Sequence, residues 1–432
     1  MRRLVADIGP LRHSAAFRRL WFGLSITSIG SQLTVVGVAY QTYRLTRSTA
    51  MVGLVSLVAL APTILGSLIG GAVADVLDRR RMLIATQVLL AVASGALAAN
   101  ALLPHPQLWV MFVAPGFIAA FQGVDWPTRL AVVPMLVPEE EVPSAFALQS
   151  VVNNLAVVAG PALAGLIIAE LGLKAVYLAD VASYGATFIA AVMLPSLAPQ
   201  RSGDSPAGLR SIVEGLRFLR TETLLLATFV LDLNAMIFGM PKAVFPALGI
   251  HLFHGGASTV GLLYAAPGAG AMAASLLSGW VKHITARGRA LVMCMLFWGG
   301  AIALFGIIPV LWIGLILLAI AGGADIVGGV FRVAILQSAT PERLQGRLSG
   351  LFYAAAVSGN RLGDGESGLA ATVGGSQFAV WSGGLACIVG TVLLAWRIPE
   401  LWRRDGTVAR ARTGLEFDIA QGSTLALDDD GP

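Results

Sequence analysis

Six polar side chains stand where lipid-soluble sequence should leave none: Asp232, Asn234, Asp325, Arg361, Asp364 and Glu366 all fall inside long apolar stretches. A charge in hydrocarbon is costly enough that such groups are functional candidates by default, either for moving protons or for holding a polar substrate. Asp232, deep in its stretch and near Asn234, is the leading carboxylate for both tasks. For Asp232, and for Asp325 after Gly322 and Gly323, bracing between helices is the alternative. Arg361 and Asp364 are three residues apart and share one helical face, where they can neutralise each other. The sharper alternative is a switch in which protonating a carboxylate releases Arg361 and shifts a conformational equilibrium. Lys242, after Pro241, either snorkels to the membrane surface or attracts an anionic substrate. Asp180 reads as peripheral and structural.

A second group of charges lies between the apolar stretches. Residues 70–81 read GGAVADVLDRRR, in which glycine permits close helix contact and a tight exit from the membrane. Asp75 can cap or pair with a neighbouring helix end, and Arg79, Arg80 and Arg81 can meet anionic lipid or a carboxylate across a domain interface. Such a charged latch can be made in one conformation and broken in another; a plain basic membrane anchor is the alternative. Arg129 with Pro138-Glu139 returns as Arg332 with Pro341-Glu342 at a constant offset of 203 residues, and Arg347 follows the second copy. Gly71, Asp75, Arg79, Arg80, Arg129, Arg332, Glu342 and Arg347 therefore make up the candidate gate.

The elements that must position these residues are helices in lipid. Hydrophobic residues are 56% of the chain and charged residues 12%, far from the soluble balance. Apolar stretches occupy residues 19–43, 51–74, 82–102, 108–126, 147–169, 174–194, 223–246, 259–281, 290–309, 311–331, 349–373 and 376–396. Most approach the ~20 residues that a helix needs to cross ~30 Å of hydrocarbon. Of the 29 Lys and Arg, 24 lie in the start of the chain, the even-numbered gaps and the tail, which places both termini in the cytoplasm by the positive-inside rule. The net charge of +5 is thus spread over one membrane face, and no nucleic-acid partner is expected.

The longest polar interruption, Pro195 to Glu222, divides the chain. The expected organisation is a six-helix half over 1–194, a cytoplasmic linker over 195–222, a second six-helix half over 223–397 and a cytoplasmic, disordered tail over 398–432. Within the linker Leu209, Ile212, Val213, Leu216 and Leu219 recur at helical spacing, the pattern of an amphipathic surface helix. The fold class is an all-α membrane protein with twelve transmembrane helices. Cys294 and Cys387 both sit in apolar stretches, and the five histidines lie in tails, gaps or helix ends, so neither a disulfide framework nor a metal site nor a cofactor is expected. There is no GxxxxGK[ST] loop, HExxH or GxSxG, which argues against an ATP motor and against an enzyme. The start of the chain lacks a cleavable secretory signal.

Residues 70–81 resemble the loop 2–3 signature of the major facilitator superfamily, with Gly71, Asp75, Arg79 and Arg80 in matching places and Asp78 where glycine is usual. PTRLAVVPMLVPEEEVPSAFALQS (127–150), LQSATPERLQGRLSGL (336–351) and GNRLGDGESG (359–368) extend the likeness, over residues 15–398, to a subgroup of bacterial siderophore and drug exporters. AVVAGPALAG (156–165) is similar to the antiporter motif, in which Gly160, Pro161 and Gly165 bend and pack span 5 against the other half; a plain packing kink is the alternative. Span 4 lacks the mid-membrane arginine of many drug–proton antiporters. The resemblance implies the major facilitator fold, a path lined by spans 1, 4, 7 and 10, and proton-coupled export of a siderophore or an amphipathic drug-like molecule. Multidrug resistance by efflux belongs to the same expectation, with an uptake permease or facilitator as the alternative. A monomer in the bacterial inner membrane, meeting small-molecule substrate, protons and lipid, completes it.

Overall fold

The computed structural model describes residues 7–74, 77–197 and 209–402, nearly all of them helical. Helix α1, Ala15–Thr46, starts at Ser14, whose hydroxyl accepts the Phe17 N–H at 3.1 Å, and stops at Arg47, which is left-handed at φ 53. Helix α2 runs as Thr49–Val58 and Leu60–Ala74. It is followed by α3 Arg79–Leu102, α4 Val110–Leu136, α5 Val142–Leu171 and α6 Leu173–Val192. Then come α7 Thr223–Phe238, α8 Ala257–Leu277, α9 Arg287–Ile307 and α10 Leu311–Ala339. The last helical run, Glu342–Arg397, breaks at Gly375 into α11 (342–374) and α12 (376–397). The bundle is that of a multi-pass membrane protein. Large apolar side chains such as Val92, Phe297, Ile316 and Leu393 point outward, a surface only lipid would solvate, and helices can offer it because their backbone hydrogen bonds close internally.

Two turns reveal the repeat in the backbone itself. Gly172, between α5 and α6, sits at φ 83, ψ 172, and Gly375, between α11 and α12, at φ 83, ψ 169. That corner of φ/ψ space is essentially closed to residues with a Cβ. The two glycines are 203 positions apart, the same offset as Arg129 and Arg332.

Two predicted boundaries are corrected. Helix α4 continues past 126 to Leu136 and α10 past 331 to Ala339, so Arg129 and Arg332 lie within helices and outside the gaps. Hydropathy falls at a charge, but a helix persists through one when a partner neutralises it, and both arginines are paired.

In the first six helices α1 packs on α5 and α6, α3 on α4 and α6, and α2 on α4; in the last six α8 packs on α10, α9 on α10 and α12, and α7 on α11 and α12. The two sets meet where α5 lies on α8 and α2 on α11. A Cβ added to Gly165 would stand 2.7 Å from the Ala257 carbonyl oxygen and 2.9 Å from Gly261 Cα, so only a glycine allows that backbone approach.

Helix α7 is interrupted. After Phe238 the chain resumes at Pro241 as short turns, Lys242–Val244, Phe245–Ala247 and Leu248–Leu252. Proline cannot donate to a helix ladder, and at the break the Gly239 carbonyl accepts the indole N–H of the buried Trp298 at 2.7 Å. Just beyond the break Ala243 and Ala247 join Ala39, Tyr43 and Val52 in an apolar plug, with Tyr264 packed on it. The plug joins both halves at the end of the bundle away from the start of α1.

The linker helix is present as Leu209–Thr221, and Leu219 is buried in the core of the second half beside Leu225 and Leu231. The side chains of Leu209, Ile212 and Val213 lie outside the described residues, as does the tail from 403 onward.

Candidate substrate cavity and ion-pair centres

A cavity of about 170 Å³ lies between the two sets of helices. Thr34, Val35 and Val38 of α1, Val55 and Ser56 of α2, and Ile118 and Gln122 of α4 form one wall, with Tyr184 of α6. Lys242, Tyr264 of α8, and Arg361 and Asp364 of α11 form the other. Of the four spans expected to line a path, α1, α4 and the continuation of α7 do so here, whereas α10 contributes no wall residue. Contact of α2 with α11 draws those two helices in instead.

Arg361 and Asp364 lie within electrostatic reach of each other but form no contact ion pair. Asp364 Oδ2 accepts the Ser56 hydroxyl at 2.6 Å, and Arg361 donates to the Ser56 carbonyl at 3.4 Å. Sharing a helical face sets the two side chains side by side, but α2 offers both a better-placed partner. The polar pair therefore clamps α11 to α2 across the seam. Lys242 makes no hydrogen bond or ion pair through its ammonium among the described residues. Its backbone carbonyl accepts the Tyr264 hydroxyl at 2.9 Å. Thr42 Oγ1 and Tyr184 Oη are buried at the cavity without a well-formed hydrogen bond, although Gln122 adjoins Tyr184. Glu366, half-buried on α11, is not a wall residue.

A separate charge centre occupies the second half. Asp232, buried on α7, forms an ion pair with Arg332 of α10, and Asp325 Oδ1 lies 3.6 Å from the same guanidinium. The arginine expected at the gate thus meets the two carboxylates expected to carry protons. Asn234 does not join them: its Nδ2 donates to the Cys387 carbonyl at 3.0 Å, tying α7 to α12.

The first half has its own buried carboxylates. Asp125 pairs with Arg129 one turn along α4 and accepts from Thr86 and Gln87 of α3, each at 2.9 Å. Asp180 is completely buried, accepting the hydroxyls of Thr34 at 2.6 Å and Ser94 at 2.7 Å. The expectation of a peripheral Asp180 is therefore wrong. Thr34 is also a cavity wall residue, so the node reaches the site. The hydroxyls were visible in neighbouring apolar stretches, but their convergence was not.

Residues 5–419 match the family described as transmembrane secretion effector. The chain belongs to this family of the major facilitator superfamily. It is 29% identical over 390 residues to the enterobactin exporter EntS of Citrobacter koseri, covering 90% of this chain and 93% of that one. The EntS of Escherichia coli O1:K1 / APEC shows the same identity and coverage. Among solved structures, a POT family transporter in complex with 5-aminolevulinic acid superposes with a TM-score of 0.72 at 12% identity, covering 93% of this chain and 99% of that one. A bacterial homologue of the human lysosomal transporter Spinster, in an inward-facing and unoccupied conformation, gives 0.68 at 13% identity, with 90% and 95% covered. These two likenesses establish the fold.

In this chain the loop 2–3 arginines turn inward on their own half. Arg79 contacts Met135 Sδ at 2.8 Å, and Arg80 donates to the Val192 carbonyl at 2.5 Å. They tie α3 to the ends of α4 and α6; no described contact carries them to a carboxylate of the second half. Gly71 lies in the last turns of α2, whereas Asp75 and the side chains of Glu342 and Arg347 lie outside the described residues. Asp78, the departure from the superfamily pattern, is the N-cap of α3. Its carboxylate accepts from Arg80 N–H at 2.8 Å, the Ser196 hydroxyl at 2.5 Å and Leu197 N–H at 3.4 Å. Slight burial pushes the Asp78 carboxyl up, but these hydrogen bonds outweigh it and hold it below the usual carboxylate range. In the packing motif, Pro161 and Gly165 face α8 of the other half, while Gly160 faces Gln32 of α1.

Proposed function

We propose that the chain is a secondary exporter of a small amphipathic molecule, a siderophore or a drug-like compound, working by alternating access in the bacterial inner membrane with both termini cytoplasmic. The observation that carries this reading is the cavity walled by both halves and closed at one end by the Tyr43–Ala247 plug. With cytoplasmic termini that plug is on the outer face, so the conformation is the one sealed outward. The kinship with enterobactin exporters supports a siderophore-like cargo and the outward direction.

Protons are the proposed driving ion, and the Asp232–Arg332–Asp325 centre is where they act. Two carboxylates face one guanidinium there. A proton on Asp232 removes one negative charge, frees Arg332 to turn wholly to Asp325, and changes the relative stability of the two conformations by altering the α7–α10 contact. The halves then rock about the cavity. Arg361, Asp364 and Glu366 hold or adjoin the α2–α11 seam, which must open on the outward stroke, and the α5–α8 contact at Pro161 and Gly165 is the other seam. The chain acts as a monomer and without a catalytic step.

In proteoliposomes with an imposed pH gradient, Asp232→Asn is expected to abolish gradient-driven export while reconstituting at the wild-type level. Wild-type rates in that variant would remove Asp232 from the coupling. Accumulation of iron-chelating metabolites inside cells expressing the gene, in place of depletion, would overturn export itself.

A further inference from the structure

The wall of the cavity is mostly apolar, and its acidic and basic side chains are three: Lys242, Arg361 and Asp364. Asp364 and Arg361 are both committed to Ser56. Lys242 is left with an ammonium that no described side chain pairs. It lies within electrostatic reach of Asp364 and Asp325, yet Asp364 is held by Ser56 and Asp325 faces Arg332 outside the wall. By formal charge the wall therefore carries two cations against one carboxylate, and the Lys242 ammonium, balanced only at a distance by Asp364 and Asp325, keeps its hydrogen-bond donors unused.

The position of Lys242 adds a second, independent argument. It stands at the break in α7, immediately after Pro241, with its carbonyl fixed by Tyr264. Interrupted transmembrane helices in transporters mark the place where backbone and side chain meet cargo. One buried hydroxyl at the same cavity, Thr42 Oγ1, also lacks a partner, while Tyr184 Oη has Gln122 beside it. Unpaired donors of both kinds call for acceptor atoms on whatever fills the space. Its size sets the scale: a protein cavity of about 150 Å³ accommodates a benzene ring.

We propose that this cavity binds the acidic head of an amphipathic anion, a ring-sized aromatic or aliphatic acid, with Lys242 as its counter-charge and the Val35, Val38 and Val55 wall against its apolar face. The inference rests on the exporter reading, since it names the class of cargo for the same site. Lys242 thereby selects anions over neutral isosteres of the same shape, and Arg361, tethered to α2, is the minor contributor.

Benzoate and benzamide, alike in shape and different in charge, are the probes. Their affinities are measured by thermal-shift titration of the purified full-length protein in detergent, in gluconate salts free of chloride. Benzoate is expected to bind the wild type about tenfold or more tighter than benzamide, equivalent to about 1.4 kcal/mol. The preference is expected to fall to near parity in Lys242→Met and to persist in Lys242→Arg, while a wild-type melting temperature without ligand certifies the fold of each variant; Lys242→Gln repeats the test should the methionine variant misfold. Equal binding of the two probes, binding of neither, or a preference that survives loss of the ammonium would overturn the assignment. Export of an uncharged amphipath by proteoliposomes would then leave the exporter reading standing. Conversely, anion binding by a protein that moves nothing down a pH gradient would overturn the transport reading and leave the site.

Discussion

At the scale of single residues, the departures from a superfamily pattern carry as much information as the matches. Asp78 replaces the customary glycine of loop 2–3, and what it gains is a capped helix: its carboxylate satisfies the first free amides of α3 and draws in Ser196 from the beginning of the linker. Asp78→Ala is expected to lower stability by about 1 kcal/mol, the usual value of an N-cap, measured by thermal unfolding in detergent; Asp78→Asn, which can still cap, should retain much of it. The sign of the pH dependence follows from the depressed folded-state pKa. The stabilisation is fully present above the unfolded value of about 4 and is lost as pH falls through the lower folded value. The wild-type advantage over Asp78→Ala should therefore be complete at neutral pH and shrink in acid. An advantage that grew on acidification would contradict the capping role.

At the scale of elements, two helices run past the ends that hydropathy predicts, because a charge lowers hydropathy without ending a helix. Arg129 and Arg332 stay inside α4 and α10, since Asp125 one turn back neutralises the first and Asp232 on another helix neutralises the second. The Asp125 partner could have been found from its spacing of one helical turn; the Asp232 partner, 100 residues earlier in the chain, could not. The turns tell the opposite story, because their conformation is local. Gly172 and Gly375 share a backbone conformation that β-carbons exclude, and nothing lies within 4 Å of where a Cβ would be at either site. Alanine there meets backbone strain alone, of order 1–3 kcal/mol per site. Gly172→Ala and Gly375→Ala should each destabilise by a comparable amount, and the double variant by their sum, since the sites share no partners. Unequal single effects would break the proposed equivalence of the two turns.

At the scale of the whole molecule, the plug and the two seams describe one state of a rocking machine. Ala39 of α1 and Ala243 beyond the α7 break belong to the same apolar cluster, so the pair Ala39→Cys and Ala243→Cys is expected to cross-link in the resting protein. Cys294 and Cys387, the free thiols of the described chain, are first replaced by serine or alanine. Cross-linking should stop turnover, and reduction restore it, while accessibility of the cavity from the end opposite the plug persists. Normal transport by the cross-linked protein would show that the plugged end need not open.

The amino-acid sequence alone determined the membrane, the number of spans, the 203-residue repeat and the superfamily, because each is written locally: in hydropathy, in charge per gap and in short motifs. It also marked the charges that break the apolar pattern. Their partners were settled only by tertiary structure. Arg332 moved from the gate to the Asp232 and Asp325 centre, Arg361 and Asp364 turned to Ser56, Asn234 turned to α12, and Asp180 became a buried node against the cavity wall. A charge in a low-dielectric interior must find its counter-group somewhere, but which helix supplies it depends on how helices far apart in the chain are packed side by side. That packing leaves no trace at any one position.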